Sequence, residues 1–136
     1  MTGLGVLGAV ELPGEAVSVV RARAFVRGVL ERAGVGEAAD VLLLVSELVG
    51  NAVAHSDSGQ GGRVAVAVLG CGDQGDRVVR VEVSDQGSDE NKPQVRDGEG
   101  LLASGGRGLR LVELMARAWG WDEDGSGRTV WFEVGV

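Results

Sequence analysis

Val41-Leu42-Leu43-Leu44-Val45-Ser46-Glu47-Leu48-Val49-Gly50-Asn51-Ala52-Val53-Ala54-His55 is the stretch on which the reading of this chain turns. Val41, Leu44, Val45, Leu48, Val49 and Ala52 recur at helical spacing, which predicts a helix over residues 37–55 with one face in a core. Glu47, Asn51 and His55 follow at i, i+4 and i+8, so they stack as one polar stripe along the flank of that seam. A carboxylate and a carboxamide at the border of a buried face suit a hydrated Mg²⁺, or the water beside a phosphate. Taken alone, the stripe reads better as the solvated face of an ordinary helix, and the features downstream are what change that.

Residues 4–12 alternate loosely as an edge strand, and Pro13-Gly14 breaks it. Val19, Ala22, Val26, Val29 and Leu30 then describe an amphipathic helix over residues 15–32, which Gly34 and Gly36 end. Residues 56–62 have loop composition. Val64, Val66 and Val68 alternate with small residues in a strand over residues 63–69, and residues 70–76 carry turn chemistry leading to a second strand at 78–84, so the two form an antiparallel hairpin. Residues 86–105 show no sustained period and include Pro93; a loop of that length in a compact domain is usually functional. Leu109, Val112, Met115, Ala116 and Trp119 mark a third helix over residues 107–119. A turn at 122–127 and a strand at 128–134 close the chain. Helices grouped between antiparallel strands predict an α+β fold, a two-layer sandwich of one mostly antiparallel sheet with three helices on one face.

Composition narrows the function. The 136 residues suffice for one domain over residues 1–136 but not for a separate substrate domain. A formal charge of −7 argues against nucleic-acid binding, which needs clustered Lys and Arg. Lys92 is the only lysine. One cysteine, Cys71, excludes an intramolecular disulfide and disfavours a thiolate metal site; its glycine neighbours place it in a hairpin turn. The first ten residues lack the positive charge of a signal peptide, and no apolar run is long enough for a membrane span, so a cytoplasmic protein is expected.

Two further motifs carry chemistry. Asp85 shares the parity of Val79, Val81 and Val83, so if those valines face the helices it points into the sheet–helix interface, where a carboxylate needs a donor. Asp85-Gln86-Gly87 is also an ordinary turn cap after a strand. Gly106-Arg107-Gly108-Leu109 at a helix start suits phosphate binding by exposed N–H groups and the helix dipole, although such glycines also merely end loops. It is neither a Walker motif nor a dinucleotide fingerprint, since no Gly-Lys-Ser/Thr and no βαβ unit accompany it.

The order of these features, E-x-x-x-N on a helix, D-x-G after a strand, G-x-G-L at a helix start and a final Gly127-Arg128-Thr129-Val130-Trp131-Phe132 strand, resembles the GHKL (histidine-kinase-like) ATPases. Within them it is most similar to the small bacterial anti-sigma regulatory kinases, over residues 15–134. The resemblance implies a Bergerat-type fold that binds ATP and Mg²⁺. Asn51 would hold Mg²⁺ and Glu47 would be the catalytic base. Asp85 would accept a hydrogen bond from the adenine amino group, and Gly87 would let the backbone approach the base. Gly106, Arg107, Gly108 and Leu109 would cradle phosphates, Thr129 would help close the adenine end, and residues 86–105 would form a lid. The implied activity is that of an ATP-dependent serine-protein kinase acting on an anti-sigma antagonist and sequestering a sigma factor, with a homodimer as the binding form.

Two departures stand out. Asp89 occupies the place of the pattern's second glycine, and Leu101-Leu102-Ala103-Ser104 lacks the basic residue that such lids direct at the γ-phosphate. They leave open an alternative, a nucleotide-binding regulatory module that acts by protein binding without transfer. A phosphohistidine relay through His55 is set aside, because kinases of this type use none. Trp119 and Trp131 are expected in the core.

Overall fold

The structure, a computed structural model, describes residues 5–36, 38–55, 62–71, 77–86, 107–125 and 127–136. Among the described residues eight elements follow in order: β1 (Gly5–Pro13), α1 (Val17–Arg32), α2 (Ala39–His55), β2 (Arg63–Cys71), β3 (Val78–Asp85), α3 (Arg107–Met115), β4 (Ala118–Asp124) and β5 (Gly127–Gly135). The strands form one antiparallel sheet in the order β1-β2-β3-β5-β4. The α+β architecture expected from the sequence is therefore the one adopted.

Period-2 alternation decides which side of the sheet is buried. Val64, Val66 and Val68 of β2, Val79, Val81 and Val83 of β3, and Val130, Phe132 and Val134 of β5 are all buried. They meet Ala22, Val26, Val29 and Leu30 of α1 and the predicted seam Val41, Leu44, Val45, Leu48, Val49 and Ala52 of α2 in one cluster. Burial of these branched side chains is the main favourable term, about 1.5–3 kcal/mol for each one fully removed from water.

Local chemistry sets the element ends. The buried Ser18 hydroxyl donates to the Pro13 carbonyl at 2.5 Å, tying the end of β1 to the first turn of α1. At the other end of α1, Gly34 takes a φ of 79°. The Val35 N–H then reaches the Leu30 carbonyl at 2.9 Å and the Gly34 N–H the Glu31 carbonyl at 3.1 Å, a Schellman closure that turns Val35 into the core.

Three expectations need correction. The third helix does not run to residue 119; it ends at Met115, and Ala118–Asp124 is strand β4. Trp119 satisfied the helical period, but Trp119 and Trp121 also alternate, and pairing with β5 decides between the two readings. The Arg117 N–H already bonds the Glu133 carbonyl at 2.8 Å, so the chain joins the sheet within two residues of the helix end. The expected turn at 122–127 contracts accordingly. Cys71 is the last residue of β2, opposite Val78, and not part of a turn.

Trp131 is the third correction. It has the opposite parity to Phe132 and lies on the helix-free face, half-buried, with the Arg80 guanidinium carbon 3.9 Å from its ring centroid. Arg80 also bonds Glu82 at 2.9 Å and Glu133 at 3.2 Å. Gly120 sits against the same indole, where a Cβ would come within 2.8 Å of it. That face is therefore sheltered by a polar and aromatic layer.

Candidate functional site

Leu48, Val49 and Ala52 sink into the core, and this leaves Glu47 and Asn51 half-buried at its border on α2. Helix α2 packs against α1, α3 and β3, so the polar stripe belongs to the helix layer and not to an outlying surface. The Asn51 side-chain nitrogen is buried and has no hydrogen-bond partner among the described residues. An orphaned buried amide is costly, and a ligand bringing its own polar atoms would relieve the cost. His55 closes α2.

Asp85 is the last residue of β3 and has the parity of the buried valines, so it lies on the helix-facing side, half-buried. Beyond it Gln86 is exposed, and Gly87 falls outside the described residues. Gly106 also falls outside them, as does almost all of the expected lid at 86–105. Arg107, Gly108 and Leu109 form the first turn of α3, the end of a helix that presents free N–H groups. No acidic residue stands in that first turn.

The structure does not bring Thr129 to Asp85. Its neighbours Arg128, Val130 and Phe132 alternate inward, and Thr129 therefore lies on the helix-free face. There its hydroxyl oxygen is 2.8 Å from that of Ser84, the cross-strand partner. The residue opposite Asp85 on β5 is Arg128. Arg128 is buried, with 4 % of its side chain exposed, and its guanidinium bonds the Glu123 carboxylate at 3.4 Å. Glu123 is in turn the partner of Arg128 on β4. Asp85, Arg128 and Glu123 thus form one row across three strands, acid–base–acid, at the end of the helix-facing surface.

Sequence reasoning missed Arg128 and Glu123. The signal for Arg128 was present: an arginine in the buried phase of an alternating strand. Glu123 carried none, because its strand had been read as a turn.

Gly127 fixes the approach of β5 to β3. Its φ is 152°, and a methyl group there would overlap the carbonyl oxygen of Asp85. Its N–H donates to the Asp124 carboxylate at 3.1 Å, closing the β4–β5 hairpin. A glycine is required at this position both by conformation and by space.

Two concavities lie elsewhere. One, of about 590 Å³, runs between α1 and α2 and is lined by Arg23, Arg27, Leu30, Val35, Leu42 and Leu43. The other, of about 450 Å³, lies below the α1–α2 connection near Arg77 and Val136. Neither is lined by Glu47, Asn51 or Asp85. Among the described residues no group of three His, Cys, Asp or Glu side chains could hold a metal. Such a donor set suits Mg²⁺ only as a partner of bound phosphates, since Mg²⁺ keeps much of its water and takes few protein ligands. The unmet atom of Asn51, one turn from Glu47, is an N–H donor that suits a phosphate oxygen, while the carboxamide oxygen of the same side chain is the atom that could face Mg²⁺. Among the described residues no helix is long and apolar enough to cross a membrane.

A family model described as a histidine kinase-like ATPase domain matches residues 12–134, nearly the whole chain. No curated protein sequence matches it.

Proposed function

The chain belongs to the histidine kinase-like ATPase domain family, and from that premise we propose that it is an anti-sigma-type regulatory kinase. It binds Mg-ATP, phosphorylates a serine of an anti-sigma antagonist and sequesters a sigma factor, as a homodimer in the cytoplasm. The observation that carries this reading is the pair on α2: a half-buried Glu47 one turn from Asn51, whose buried carboxamide nitrogen lacks a partner among the described residues.

Bound Mg-ATP would supply the phosphoryl group. The chain's own residues would do the rest. Asn51 holds the cation from the helix layer, at a position fixed by the buried Leu48 and Ala52 on either side. Glu47 takes the proton from the attacking serine hydroxyl, the task a carboxylate performs in phosphoryl transfer. Asp85 accepts a hydrogen bond from the base amino group, and Gly87 leaves room for the base. The backbone at residues 106–109 supplies N–H donors to the phosphates at the positive end of α3. Phosphoryl transfer needs mainly positioning and charge neutralisation, so one base, one cation site and one helix N-terminus form a sufficient set.

A second reading has one observation behind it. Leu101-Leu102-Ala103-Ser104 offers no basic side chain to the γ-phosphate, as expected of a nucleotide-binding module that acts by protein contact alone. Calorimetric titration with Mg-ATP, followed by a transfer assay with labelled ATP and an antagonist protein, separates the two. Glu47→Ala should keep ATP affinity and lose transfer by about 10²–10⁴-fold, the range for removal of a general base. Mg-ATP binding with no transfer by the unaltered protein would instead establish the binding module. No binding in the millimolar range would sink both.

A further inference from the structure

We propose that Arg128 is a positioning residue of the nucleotide site, holding the Asp85 carboxylate in the orientation that meets the base amino group. The inference rests on the reading of Asp85 given above, and it assigns a part to a residue of the final strand to which the resemblance gave none.

Asp85 and Arg128 are directly opposed on β3 and β5, and both have the helix-facing parity. Side chains so opposed have Cβ atoms about 4.5–5.5 Å apart, within easy reach for an arginine. The same residue is opposed to Glu123 on β4. A guanidinium has five N–H donors in a planar fork, enough to serve a carboxylate on each side.

Burial makes such service necessary. The Arg128 side chain is 4 % exposed whereas that of Glu123 is 36 % exposed, so the guanidinium lies deeper than this carboxylate. One guanidinium nitrogen lies 3.4 Å from the Glu123 carboxylate, long for a charge-assisted bond. A guanidinium taken out of water is tolerated where carboxylates surround it, and the second carboxylate the ladder provides is Asp85.

The surroundings hold the pair still. On the helix-free face the adjacent pair Ser84 and Thr129 share a hydrogen bond at 2.8 Å, locking the same register. Gly127 lies so close to the Asp85 carbonyl that no side chain fits between the strands. An arginine fixed in this way fixes what it holds. A carboxylate that accepts from Arg128 with one oxygen keeps its other oxygen aimed at the ligand.

The test measures base discrimination. ATP is compared with purine riboside triphosphate, which has the same sugar and phosphates but no amino group, by titration in Mg²⁺. The unaltered protein should prefer ATP by roughly tenfold or more, the worth of one hydrogen bond to a charged acceptor. Arg128→Met should bring the two within about threefold, chiefly by weakening ATP. Arg128→Lys should recover part of the preference. A purely structural arginine predicts something else: both nucleotides weaken together and the ratio survives in Arg128→Met, which would overturn the inference. Should Arg128→Met fail to fold, the other variants decide. Glu123→Gln, at a partly exposed position, should leave the ratio at or above that of the unaltered protein. A ratio that collapses there, or one unchanged in Arg128→Lys, overturns the inference. Failure of the underlying reading shows earlier, in the unaltered protein, as equal affinity for the two nucleotides or none for either.

Discussion

Two neighbouring rows on the helix-facing side of the sheet are built by the same alternation and differ in nearly everything else. Val83, Val130 and Trp121 form one; Asp85, Arg128 and Glu123, one register step nearer the strand ends, form the other. The first is apolar, with Val83 and Val130 buried and Trp121 exposed at the sheet edge, and its two valines are held by burial, which has no direction and tolerates small shifts. The second is charged, and buried charge is tolerated only when partners stand at the right distance and angle. The passage from one row to the next is where the core stops and a binding surface can begin. Alternation by itself says only which side chains go inside, not whether the inside is core or site.

The contrast can be pressed hardest from the apolar side. Phe132 is fully buried in the row behind, opposite Val81 and Trp119. Phe132→Ala should cost about 3–5 kcal/mol in urea unfolding, the range for a large core truncation. A loss below about 1 kcal/mol would show that this face is not the core.

A smaller but more telling effect is expected where the two rows are pinned together. Gly127→Ala places a methyl group against the Asp85 carbonyl and should cost about 1–3 kcal/mol, as overpacking does. It should also weaken ATP binding more than Phe132→Ala does in protein that remains folded, because the strain falls on the charged row. Equal ATP affinity in the two variants would detach Gly127 from the site.

The least effect belongs to the helix-free face. Thr129→Val removes the hydroxyl pair with Ser84 and should cost about 0.5–1.5 kcal/mol, with ATP affinity unchanged within about twofold. A clear loss of affinity would return Thr129 to the nucleotide pocket, against its parity in β5.

Much of this molecule could be read before its structure was known, and the exceptions share a cause. The seam of α2, the valine alternation of β2 and β3, and the parity of Asp85 follow from side-chain period, a property of neighbouring residues. Glu47 and Asn51 were legible for the same reason, being one turn apart on one helix. Trp119 was misread because five apolar residues satisfied a helical period that a strand also permits. Thr129 was chosen from a motif, although the parity of its own strand put Arg128 inside. Trp131 was counted as core because it lies mid-strand, while its parity put it outside.

The chain alone determined which face of each long element is buried, because that depends on a repeat every two or every 3.6 residues. Only the tertiary structure decided that residues 118–124 are a strand, since their ladder exists only when β5 is beside them. Only it set Arg128 between Asp85 and Glu123, three residues drawn from three strands. The physical reason is range: periodicity is felt over a few residues, whereas a buried charge finds its partners only after distant strands have paired.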